Sequence, residues 1–205
     1  VQRGVKAAGQ KQLTSPVKIL FVGRLVPAKG VDVLLRAASA LLKQKIPFRL
    51  SIVGDGHDRP RLESIVQQLD LVGKVHFVGP LPYEEVMSWY ETAHVLVLPT
   101  RSEGFPKVLV EAMCYGVVCV ATDTGLIPWM LKDRGFVVPY GDVEALAAQL
   151  RYIMEDPTMI QGLSKEASAW AQNYSIEGVR KALSRLFLER WNYSFLKEED
   201  WEHLE

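Results

Sequence analysis

Short apolar runs alternate with amphipathic helical stripes along most of this chain, and no other feature limits its fold as much. Residues 17–22, 48–53, 75–78, 94–98, 117–121 and 136–138 are apolar runs rich in β-branched residues, the pattern of strands buried on both faces. Between them, apolar positions recur at helical spacing. In residues 31–45 Leu34, Leu35, Ala38 and Leu41 or Leu42 form a stripe, and in residues 61–71 Leu62, Ile65, Val66 and Leu69 do the same. Residues 83–92 and 143–155 read as helices and 127–131 as a short helical turn. Such a succession of strand–helix units predicts an α/β chain with right-handed crossovers. The expected fold is a doubly wound, parallel, six-stranded Rossmann-like sheet with helices on both faces. Residues 159–173 and 176–191 add C-terminal helices, and no internal repeat or low-complexity tract interrupts the order.

Composition bounds the functional classes. With 205 residues and 48% hydrophobic content the chain can bury a sizeable core, and no apolar run is long enough to span a bilayer, so it reads as soluble. Lys plus Arg and Asp plus Glu both number 24, so no global field recruits nucleic acid or an anionic membrane. Cys114 and Cys119 sit in apolar company and read as buried thiols of a reducing, cytoplasmic compartment. The glycosylation patterns at Asn173 and Asn192 are short enough to arise by chance and are discounted. Residues 1–15 read as a polar linker, 16–175 as the Rossmann-like body and 176–205 as a final helix and tail. With Val1 at the start and Leu204-Glu205 reading as a cloning scar, a domain excised from a longer protein is expected.

The chemistry concentrates between Pro99 and Glu111. The run that ends at Leu98 is stopped by Pro99, passes Glu103-Gly104-Phe105, and enters a helix in which Val108, Ala112 and Tyr115 recur, with Pro106 at its first position and Gly116 just past its end. Phe105 cannot cap that helix as Ser or Asp would, so its first N–H groups need another partner. An anion such as a phosphate fits, because the helix begins at the carboxyl edge of the sheet. The loop after the first strand, Gly23 to Gly30, has neither a dinucleotide fingerprint nor a phosphate-binding loop motif, but it carries two cations, Arg24 and Lys29. Each residue also has a bland reading. Arg24 and Lys29 are compatible with solvated loop charges, Glu103 with a solvated carboxylate, and Glu111 with a weak surface pair to Lys107.

Four motifs in order carry more than any one of them. Gly-Arg-Leu-x-x-x-Lys-Gly from Gly23 to Gly30, Val-Gly-Asp-Gly from Val53 to Gly56, Phe-Val-Gly from Phe77 to Gly79, and Glu103 followed eight positions later by Glu111 resemble the donor-binding domain of the retaining glycosyltransferases of family 4. That family has the two-domain GT-B fold, and its carboxyl-terminal Rossmann-like half binds a nucleotide sugar. The resemblance implies that Arg24 and Lys29 hold the diphosphate, that Glu111 hydrogen-bonds the ribose, and that Glu103 faces the sugar with the backbone of Gly104, Phe105, Pro106, Lys107 and Val108. By the same resemblance Gly23 and Gly54 line the nucleotide site, and Glu103, Arg24 and Lys29 are the catalytic group. It implies a UDP-, GDP- or ADP-sugar donor, transfer of a hexosyl unit to an unknown acceptor in glycan or glycoconjugate synthesis, and no cofactor. No metal is expected: the chain lacks Asp-x-Asp, and His57, His76, His94 and His203 show no ligand spacing.

One position departs from the family. Thr124-Gly125-Leu126-Ile127-Pro128-Trp129 carries tryptophan where the family has glutamate, and core packing is the expectation for Trp129, with an interface or a sugar face as alternatives. In the resembling family an N-terminal acceptor-binding domain precedes the donor half, and none lies within these residues. Nucleotide binding without useful turnover is therefore expected. The full-length enzyme is compatible with peripheral membrane association. The stripe Val179, Leu183, Leu186, Phe187 and Trp191 on the last helix would be left exposed, to self-associate or to be covered by the tail. A non-catalytic nucleotide-sugar-binding module of the same fold is the alternative reading.

Overall fold

The computed structural model describes residues 2–9, 11–174 and 176–191. Its six strands are β1 (Val17–Val22), β2 (Phe48–Val53), β3 (Val75–Gly79), β4 (Val95–Leu98), β5 (Val118–Thr122) and β6 (Gly135–Val138), all parallel, in the order β3-β2-β1-β4-β5-β6. The helices are α1 (Gln2–Gly9), α2 (Val31–Lys43), α3 (Arg59–Gln68), α4 (Tyr83–Thr92), α5 (Lys107–Cys114), α6 (Ile127–Leu131), α7 (Val143–Glu155), α8 (Pro157–Gln172) and α9 (Ile176–Trp191). The chain winds outward from β1 to β3 and then from β4 to β6, so right-handed crossovers send α2 and α3 to one face and α5 to the other. α7 returns to pack on α2, and α8 packs on α5. The doubly wound parallel sheet is thus as the sequence pattern predicts.

The core is continuous between the layers. β4 is buried at all four positions and β5 at all five, as strands covered on both faces must be. β1 and β2 instead alternate at their amino ends, where Lys18 and Arg49 reach solvent between buried neighbours. That half of one face lies open.

The segment read as a polar linker holds a helix. α1 lays its small residues on the body: Gly4 touches the Cys114 carbonyl and Ala8 packs at Gly116. Beyond it Lys11 is buried, and its ammonium donates to the carbonyls of Tyr90, Glu91 and Ala93 at 3.0, 2.8 and 3.0 Å. All three donors are used, on the orphan carbonyls that end α4, where the helix dipole favours a cation. Burial, above all, lowers the pKa of Lys11 to about 8. The polar composition misled because one lysine and a stripe of small residues, not a run of large apolar ones, dock this segment.

His94 is also buried and satisfied. Its Nδ1 accepts from the Lys18 amide at 3.0 Å and its Nε2 faces the Thr14 hydroxyl at 3.3 Å. Cys119 is wholly buried and burial pushes its thiol pKa up, while Cys114 is half-buried; both are free. On α9, Val179, Leu183 and Leu186 are each more than two-fifths exposed. The Trp191 side chain and His203 lie outside the described residues. Among the described residues no helix is long and apolar enough to cross a membrane.

Candidate functional site

β1 and β4 are neighbours whose following helices leave on opposite faces, so a crevice opens outside their carboxyl ends. Residues 23–30, which follow β1, form one wall and end in a single 3₁₀ turn, Pro27–Lys29. Residues 99–106, which follow β4, form the other wall. The two are stitched together: the Arg101 amide and the Thr100 hydroxyl both donate to the Ala28 carbonyl, at 2.8 and 3.1 Å. Gly30, at φ 65°, lies so close to Pro99 that a Cβ would fall on its carbonyl oxygen. Only glycine meets both demands. From β5 a third loop joins, with the Thr122 hydroxyl donating to the Thr100 carbonyl and Gly125, at φ 55°, resting on the Glu103 carbonyl.

Across the crevice Lys29 and Glu103 form an ion pair, with 20% and 19% of their side chains exposed. Partial shielding makes such a pair stronger than one in open water. Arg24 stands exposed at the head of the same loop as Lys29, without a carboxylate partner among the described residues. Gly23 is held by its amide on the Val53 carbonyl at 3.0 Å, and Gly54 by its amide on Gly79 at 2.8 Å. Gly54 therefore sits beyond Gly23, away from Glu103, in the order of the strands.

α5 begins uncapped. Pro106 is its N-cap rather than its first residue, and no side chain caps the helix. Among the described residues the amides of Gly104, Phe105, Lys107 and Val108 find no acceptor. A row of free N–H groups beside Lys29, which pairs with Glu103, at the positive end of a helix, is a place for an anion.

Glu111 lies on the second turn of α5, half-buried. It makes no ion pair with Lys107; instead its Oε2 accepts a hydrogen bond from the Tyr90 hydroxyl at 3.0 Å. Burial raises its carboxyl pKa above the ordinary value, opposed by the Tyr90 bond and the Lys107 charge. Tyr90, fully buried, has its own pKa raised by burial and then by the Glu111 charge. Tyr90 was not singled out by the sequence reading. The available signal was a tyrosine on the apolar side of a helix, since a buried phenol needs a partner. Thr100 and Thr122, which join the loops, carry no sequence signal beyond lying at strand ends.

Trp129 is not in the core. It is 51% exposed and stands edge-on to Trp170 and Tyr174, at centroid distances of 5.5 and 6.1 Å. Phe105 joins through Tyr174 at 6.0 Å. α6 is a short helix at the rim, and only Ile127, Met130 and Leu131 of its five residues point inward, which leaves position 129 on the outer side.

A family profile described as "Glycosyl transferases group 1" matches residues 6–173. The chain is a group 1 glycosyltransferase domain. A D-inositol 3-phosphate glycosyltransferase of Streptomyces griseus is 31% identical over 196 residues, which is 89% of this chain and 42% of that protein. The chain thus spans less than half the length of that curated relative. Among solved structures, a sucrose-phosphate synthase from Thermosynechococcus elongatus superposes with a TM-score of 0.77 at 28% identity, covering 87% of this chain and 46% of that one. HepE of Anabaena, solved with UDP and glucose, gives 0.74 at 22% identity over 83% and 47% of the two chains, a likeness of fold. These neighbours are GT-B glycosyltransferases, and the named relatives are transferases or synthases. They give no support to a non-catalytic module. In this glycosyltransferase domain no three His, Cys, Asp or Glu side chains converge as metal ligands among the described residues.

Proposed function

We propose that this domain is the carboxyl-terminal, donor-binding half of a retaining glycosyltransferase of family 4, and that its crevice holds a nucleoside diphosphate sugar. One observation carries the reading: Lys29 and Glu103 meet across the crevice between β1 and β4, beside the unpartnered amides that open α5. In this reading the diphosphate lies on those amides between Arg24 and Lys29, Glu111 receives the ribose hydroxyls, and Glu103 faces the hexosyl unit. Gly23 and Gly54 let the nucleotide approach the backbone. UDP is the first donor nucleotide to test, since HepE was solved with it; GDP and ADP follow.

The chemistry asks little else of the domain. As the bond from the anomeric carbon to the β-phosphate oxygen breaks, its electron pair passes to the phosphate, and Arg24 and Lys29 offset that charge. The Glu103 carboxylate stabilises the positive charge that develops on the sugar. With two protein cations on the leaving group, no divalent cation is required. The acceptor is supplied by an N-terminal domain, so this chain by itself binds donor without useful turnover. The whole enzyme belongs in the cytoplasm, at a membrane surface if its acceptor is a lipid.

Isothermal titration with UDP, GDP, ADP and their glucose conjugates tests the reading. One diphosphate binds, and Lys29→Ala and Glu111→Ala each weaken it roughly tenfold or more. Absence of binding, or binding indifferent to both changes, overturns it. Detectable sugar transfer by this chain alone would overturn the two-domain requirement.

A further inference from the structure

At the other end of the sheet the open face of β1, β2 and β3 forms a groove of about 610 Å³ against α4. The register fixes what lines it. Lys18 pairs with Arg49, Leu20 with Ser51, and Ser51 with His76, so these residues share one face of three adjacent strands. Lys74 enters from the turn before β3, and Trp89 of α4 makes the opposite wall. No carboxylate lines the groove. Nor do Lys18, Arg49 and Lys74 have an acidic partner elsewhere among the described residues.

That arrangement is costly. Strands lie about 4.8 Å apart, and like charges on paired positions repel. The chain as a whole is neutral, with 24 cations and 24 anions, so the segregation is local. Lys18 also acts beyond the groove: after burial and the charge of Lys11, its charge helps to hold the His94 pKa down to about 4. A multivalent anion would relieve the repulsion through charge-assisted hydrogen bonds to Lys18, Arg49 and Lys74, with Ser51 and His76 as further donors. The concavity, within the range of small-molecule sites, suits a compact ligand better than a flat bilayer.

We propose that this groove is a second anion site, separate from the crevice at the carboxyl edge, for a small molecule bearing two or more phosphate groups. Nothing in this inference depends on the nature of the donor.

The test is an NMR titration of the whole chain with inorganic pyrophosphate and tripolyphosphate, in an Arg24→Ala/Lys29→Ala background that disables the crevice. Saturable shifts are expected at the amides of Ser51, Lys74 and His76 and at the Trp89 indole. Tripolyphosphate binds more tightly than pyrophosphate, and added salt weakens both. Arg49→Gln/Lys74→Gln, at two exposed positions, lowers the affinity roughly tenfold or more without changing the circular dichroism. In the wild-type background the same pair leaves nucleotide binding at the crevice unchanged, so failure of either site is seen separately. Shifts confined to residues 23–30 and 103–108, shifts that do not saturate, or affinity indifferent to Arg49→Gln/Lys74→Gln overturn the proposal. So does binding to phosphatidylglycerol vesicles without binding to either polyphosphate, which would make the face a membrane contact.

Discussion

The Tyr90 hydroxyl donates to Glu111 Oε2 at 3.0 Å, joining the last turn of α4 to the middle of α5. It fixes the carboxylate assigned to the ribose and also partners a group whose burial is unfavourable when ionised. Because the folded-state pKa of Glu111 is raised, its contribution to stability is present below the unfolded value of 4.5 and is lost as pH rises through the folded value. At neutral pH the ionised carboxylate is therefore a net cost. Glu111→Gln keeps an acceptor for Tyr90 and raises the melting temperature at pH 7, while nucleotide affinity falls roughly tenfold. Tyr90→Phe moves stability the other way, by about 1 to 2 kcal/mol, in urea denaturation. A melting temperature lowered by Glu111→Gln would contradict the account.

The roles proposed for Lys29 and Glu103 differ although the two side chains pair in space. Lys29→Met costs about tenfold to a hundredfold in nucleoside diphosphate affinity, as loss of a charge-assisted contact should. Glu103→Gln leaves affinity for the bare diphosphate near wild type, because Lys29 is then free to face the phosphate, but removes the added affinity of the sugar conjugate. Calorimetry of the two ligands side by side measures both effects. EDTA leaves the affinities unchanged.

His94 gives the fold an acid limit. Its Nδ1 accepts the Lys18 amide, so a proton there would face a donor, and burial with the charges of Lys11 and Lys18 lowers its pKa from 6.5 to about 4. For a depressed pKa of this kind the unfolded chain binds the proton first. Stability falls as pH drops from 6.5 toward 4, by on the order of 2 kcal/mol after allowing for screening by water in the adjoining groove. Chemical denaturation across that range shows the slope, and His94→Gln flattens it.

Gly30 sets the crevice. An alanine there would combine an unfavourable φ of 65° with a Cβ on the Pro99 carbonyl. The expected loss is about 2 kcal/mol or more. A loss of nucleotide binding at temperatures where Gly30→Ala remains folded would show the loops pushed apart. Gly141, also at positive φ but with open space around it, pays only the backbone term on the same change.

Periodicity is a local property, so six strands and the helices between them could be read from the chain, within three residues at their ends. The motif residues were equally legible, because Arg24, Lys29, Glu103 and Glu111 lie on loops and a helix that leave the carboxyl edge of such a sheet in any doubly wound fold. Three readings needed more. Lys11 lay in a segment polar enough to pass for a linker; its partners are the carbonyls that end α4, some eighty positions away. Trp129 was expected inside, since a bulky apolar residue on a short turn usually is, but α6 turns Ile127, Met130 and Leu131 inward instead. The open cationic face appears only once the register puts Lys18 beside Arg49.

By itself, then, the sequence determined the doubly wound sheet and which charged residues stand at its carboxyl edge, because both follow from spacing along the chain and the handedness of crossovers. The tertiary structure alone decided who meets whom: Lys29 with Glu103 across 74 positions, Tyr90 with Glu111 across 21. Those pairings depend on strand order and on the angles at which helices settle against the sheet, and no pattern local to either residue encodes them.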